Sequence, residues 1–95
     1  MNILHHLALA ADDQLAWNQF LAALVDGDSV VMLDQSARAL QRDPGCLRRY
    51  PQVRWLLPDC ERCADLPELP AGIILIDSGA WWQLIATHPL LLEWN

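Results

Sequence analysis

The chain has 95 residues and sets twelve acidic side chains against six basic ones, for a formal net charge of −6. Every one of the basic residues is an arginine. That balance excludes a nucleic-acid grip built on a basic patch, and it excludes docking on an anionic bilayer surface. The length suits one domain, residues 1–95, with a modest core.

The apolar content is high for so small a domain: 54% of residues are apolar and five are tryptophan. A core of this size cannot hide all of it. Contiguous exposed apolar surface marks sites of association. Self-association of the isolated chain, or binding to a protein partner, is therefore expected. Trp17, Phe20, Trp55, Trp81, Trp82 and Trp94 are read as the candidate interface rings.

In chain order, residues 2–7 read as a first strand, which would send His5 and His6 to opposite faces. Asp12 or Asp13 then offers an N-cap oxygen. Trp17, Phe20, Leu21, Leu24 and Val25 follow at i, i+3, i+4, i+7 and i+8, one face of an amphipathic helix. Gly27 suits that helix's C-terminal end. Residues 30–33 and 73–76 are short apolar runs with no alternation, as in central strands of a parallel sheet covered on both faces. Residues 53–57 make a further strand, and residues 35–41 a short helix before the Asp43-Pro44-Gly45 turn. A last helix starts at Asp77 or Ser78 and ends before Pro89, with Trp81, Leu84, Ile85 and His88 on one face. His88 would then cap its C-terminal end. The apolar tail, residues 90–94, suits an edge strand or a docking segment. Alternating strands and helices predict an α/β fold on a mostly parallel sheet of four to five strands.

Asp12 and Asp13 interrupt the N-terminal apolar run, and no positively charged segment precedes it, so no secretory leader is expected. No segment approaches the ~20 apolar residues needed to span a bilayer. The three cysteines then read as reduced thiols of a cytoplasmic protein. Cys60 and Cys63 form a C-x-x-C, but no second Cys/His pair stands at zinc-ligand spacing. Asp59, Glu61 and Asp65 flank that pair and disfavour thiolate, with Arg62 opposing them. Cys46 lies in a predicted loop beside Arg42, Arg48 and Arg49, a better charge environment, but without an evident base or resolving thiol. These three are the candidate sulfur nucleophiles, with Cys60 first. The remaining arginines, Arg38 and Arg54, complete a basic cluster read as a solvated face. No cofactor loop and no metal set stands out.

Several segments together resemble the DsrH/TusB family of sulfur-relay subunits. They are the opening Met1-Asn2-Ile3-Leu4-His5, the stretch Gly27-Asp28-Ser29-Val30-Val31-Met32-Leu33, and the ending. The ending runs from Ile73-Ile74-Leu75-Ile76-Asp77 through an aromatic helix to Thr87-His88-Pro89 and Trp94. The resemblance implies a three-layer flavodoxin-like fold. It also implies a hetero-oligomer with DsrE/TusD-like and DsrF/TusC-like subunits, which passes persulfide sulfur toward the 2-thiouridine of a tRNA wobble base or into sulfur oxidation. Some Dsr-type members carry a cysteine in the first helix where this chain has Phe20, which favours a Tus-like accessory subunit without a complete catalytic site. Cys60 falls near the reactive cysteine of DsrE/TusD relatives, just after the third strand. The alternative is accordingly a thiol protein carrying persulfide on Cys60 or Cys46. A third option is an unrelated flavodoxin-like binding module.

Overall fold

The structure is a computed structural model and describes residues 2–10, 12–33, 36, 39, 45–58 and 72–95. Five strands form one sheet: β1 (Leu4–Leu7), β2 (Ser29–Met32), β3 (Arg54–Pro58), β4 (Ile73–Ile76) and β5 (Leu91–Trp94). Three helices with described bounds accompany them: α1 (Gln14–Ala23), α2 (Gly45–Arg49) and α3 (Ser78–Thr87). The strand order is β4-β3-β2-β1-β5, and every pairing is parallel.

The topology follows from handedness. From β1 to β4 each strand adds to the same edge, so right-handed crossovers place α1 and α2 on one face. The step from β4 to β5 runs back across the sheet, and the same handedness sends α3 to the other face. α1 and α2 accordingly bury Trp17, Phe20 and Leu47 against Leu7, Val30, Met32, Trp55 and Leu57. α3 lays Trp81, Leu84 and Ile85 over Leu4, Val31 and Leu56. The result is a three-layer, flavodoxin-like α/β arrangement. Its order differs from flavodoxin's own 2-1-3-4-5 in that four consecutive strands build toward one edge.

Both long helices start as their sequences require. Asp13 accepts from the amide of Ala16 at 3.2 Å, and Asp77 from that of Ala80 at 2.7 Å. Each carboxylate satisfies a backbone donor that has no partner inside its own helix. At its far end α3 stops at His88, whose Nδ1–H donates to the Leu84 carbonyl at 2.8 Å.

Three expectations change. Residues 73–76 form a strand, but an edge strand: Ile74 is 51% exposed. An unbroken apolar run reports low polarity, not position in the sheet, and β4 is simply the last strand added before the chain turns back. α1 ends at Ala23, not near Gly27, which leaves Val25 58% exposed. Gly27 instead makes the turn into β2 at a φ of +93°, and a Cβ there would stand 2.9 Å from Oδ1 of Asn2. Third, Cys46 is placed not in a loop but in α2. Of the helix expected over residues 35–41, the described residues Ser36 and Ala39 are helical. The 90–94 tail supplies edge strand β5.

Phe20 is the hub of the aromatic core. Its ring meets those of His5, Trp17, Trp55 and Trp94 edge-on, at centroid separations of 5.6–6.3 Å. It has no exposed surface. Phe20→Ala should cost about 3–5 kcal/mol, read as a shift in the urea midpoint at unchanged slope. A loss under 1 kcal/mol would mean the ring is not holding α1 to the sheet.

Candidate functional site

Neighbouring residues of a strand point to opposite faces, so β1 sends His5 under α1 and His6 under α3. Each histidine receives a tryptophan N–H. Nε1 of Trp94 donates to Nδ1 of His5 at 3.0 Å, and Nε1 of Trp81 donates to Nε2 of His6 at 3.0 Å.

His5 is fully buried, and so is its second partner, Asp28. Indole N–H can only donate, so Nδ1 of His5 is the accepting nitrogen, and this network assigns the proton to Nε2. Nε2–H then donates to Oδ2 of Asp28 at 2.9 Å. Asp28 also accepts from the Ile3 amide at 3.0 Å and the Val25 amide at 3.1 Å. Burial pushes the Asp28 carboxyl up. The amide of Ile3, the side chain of His5 and the amide of Val25, as hydrogen-bond donors, outweigh it and hold the carboxyl below its ordinary value.

A Trp94–His5–Asp28 chain has the spacing of an acid–base relay, but not its chemistry. Its outer member is an indole, which offers neither a nucleophile nor an exchangeable acid in the ordinary pH range. The chain is also closed to solvent at both His5 and Asp28. Its work is to join β1, the α1–β2 turn and β5. The sequence reading missed Asp28 as a partner of His5. The signal was present: a histidine inside an apolar strand must find a buried partner, and Asp28 opens the neighbouring apolar strand.

His6 is only half-buried. Burial lowers its pKa from the usual 6.5, and Glu93 on β5 pulls it back up. Glu93 is its register partner across the β1–β5 ladder.

Among the proposed interface rings, Trp17, Phe20 and Trp55 are buried inside the chain itself. Among the described residues Nε1 of Trp55 has no hydrogen-bond partner. Trp81 and Trp94 are half-buried through their histidine contacts, while Trp82, on the outer side of α3, is 69% exposed. Cys60 and Cys63 lie outside the described residues, as do Arg38, Arg42 and Arg62. Cys46 is described only through its backbone in α2. Among the described residues no three His, Cys, Asp or Glu side chains gather as a metal site. Among those residues, too, no helix is long and apolar enough to cross a membrane.

No protein-family model matches the chain, and no curated protein matches it.

The sign of the acid response follows from Asp28. A carboxyl held below its ordinary value of 3.8 stabilises the fold fully above that value and loses the contribution as pH falls through its lower, folded-state value. Asp28→Asn removes that contribution and turns an amide NH₂ toward backbone donors. At pH 7 it should cost about 3 kcal/mol. The gap between wild type and variant, followed by urea unfolding, should narrow as pH drops below 3.8. A gap that stays constant down to pH ~2 would contradict an ionised, buried Asp28.

Proposed function

We propose that this chain is an accessory, non-catalytic subunit of a cytoplasmic sulfur-relay complex, held among DsrE/TusD-like and DsrF/TusC-like subunits and serving 2-thiouridine formation in tRNA. The observation that carries the reading is the distribution of the apolar surplus. The core absorbs Trp17, Phe20 and Trp55, yet Ile74, Trp82, Leu90, Leu91 and Leu92 stay exposed along β4, α3 and β5. β4 and β5 are also the two outer strands of the sheet. Exposed apolar side chains beside open strand edges are the ordinary equipment of a subunit interface. The family resemblance supplies the kind of partner. The closed Trp94–His5–Asp28 chain supports an accessory role, since the polar residues best placed for proton chemistry are committed to holding the fold.

The experiment is affinity purification of the chain at its native expression level. DsrE-like and DsrF-like subunits should accompany it. Trp82→Glu together with Leu91→Glu should strip them away, while the urea midpoint of the isolated variant stays close to wild type, since surface substitutions usually move stability by no more than about 0.5 kcal/mol. Retention of the same partners by a folded double variant, or recovery of the wild-type chain without such subunits, would reject the reading. In cells relying on a Cys46→Ser, Cys60→Ser, Cys63→Ser variant, tRNA thiouridine content should persist. Its loss, with the complex intact and activity restored by Cys60 alone, would make the chain a sulfur carrier.

A further inference from the structure

We propose that His6 is an acid-operated latch on α3: on taking up a proton it gives up Trp81, turns to Glu93, and lets the helix lift from the sheet.

The first ground is how lightly α3 is held. α1 sinks Trp17 and Phe20 into the core, whereas α3 has no buried residue. It rests on the sheet through the half-buried Trp81, Leu84 and Ile85. A helix with so little buried apolar area belongs to the low-stability end of a fold, where local opening is cheap.

The second ground is the polarity of the one side-chain hydrogen bond between α3 and β1. The Trp81 indole can only donate, so Nε2 of His6 must bring a lone pair. Protonation at Nε2 sets two N–H groups against each other across 3.0 Å. The contact then turns from attractive to repulsive. The two rings, 5.6 Å apart and inclined at 74°, cannot both stay in place.

The third ground is the partner waiting for the charged form. Glu93 occupies the register position beside His6 on β5 and acts on it electrostatically. Among the described residues the other surroundings offer no competing charge. Val31 of β2 is the apolar register neighbour. The body of α3 carries no charged residue, its ionisable groups being Asp77 and His88 at the two caps. His5 faces away, under α1.

Burial in the closed form lowers the pKa of His6, and Glu93 raises it by less. The closed form therefore binds the proton less readily than a form with α3 lifted. Closure is favoured above the open-form titration of His6, weakens as pH falls below it, and stops weakening below the lower, closed-form titration. The latch does not rest on the sulfur-relay reading and is tested on the isolated chain.

The test is amide hydrogen exchange of residues 82–87 by NMR from pH 7.5 to pH 5, corrected for the intrinsic pH dependence of exchange. Protection in the wild type should fall about tenfold for each pH unit separating the titrations of the open and closed forms. Amides of α1 should keep theirs. His6→Gln, whose amide oxygen still accepts from the indole, should show no fall, and Glu93→Gln should move the fall to lower pH. Trp81→Phe, which removes the donor but leaves His6 covered and titrating, should shrink the fall without abolishing it, and His6→Asn replaces His6→Gln if that variant fails to fold. Unchanged wild-type protection across the range, or an equal fall in the non-titrating variants, would overturn the latch.

Discussion

The fold depends on keeping one carboxylate ionised inside the protein. Asp28 is fully buried, and burial alone would force a carboxyl to neutralise. It stays charged because three donors converge on it: the Ile3 amide at the start of β1, the Val25 amide after α1, and the His5 ring. Its backbone carries the tie further, accepting from the Arg54 amide at the start of β3. One residue thus fixes where β1, β2 and β3 begin relative to one another. Removing any one donor leaves a buried charge short of a partner, which is among the costlier single changes a small domain can suffer.

The same constraint reaches the far edge of the sheet through His5. With its Nε2 proton committed to Asp28, His5 presents a lone pair at Nδ1, and Trp94 fills it. That bond helps seat β5 in register with β1. Once Leu92 lies beside His5 and Trp94 beside Leu7, Glu93 must fall beside His6 on the opposite face. Adjacent histidines on one strand therefore meet opposite conditions. His5 is sealed among aromatic rings with an anion it needs. His6 lies under a thin helix with an acid within electrostatic reach. Stability is built on the first face, and mobility becomes accessible on the second.

The elements were largely legible in the sequence because their signals are local. Carboxylates such as Asp13 and Asp77 ahead of apolar 3.6-periodic stretches signal helix starts, and the short apolar runs of β2 and β3 read as strands by their length and β-branched and aromatic content. Strand order was not legible. Residues 30–33 and 73–76 look alike in composition, yet one run is central and the other lies at an edge, because order comes from crossover direction. The polar network was half legible. His5 in an apolar strand called for a partner, but Asp28 and Trp94 lie 23 and 89 residues away, and no periodicity joins them. The interface rings divided for a similar reason: Trp17, Phe20 and Trp55 share an apolar character with Trp82, and packing alone decides which remain outside.

Trp94, His5 and Asp28 should behave as a single energetic unit, although Trp94 and Asp28 are bridged only by the imidazole between them. A double-mutant cycle of Trp94→Phe and Asp28→Asn, read by urea unfolding at pH 7, measures this directly. Members of one hydrogen-bonded network couple by about 0.5–3 kcal/mol. A coupling energy of about 1 kcal/mol is predicted, with the double variant less destabilised than the sum of the two single changes. Strict additivity of the two losses would show that β5 docks independently of the buried carboxylate, and would contradict the account.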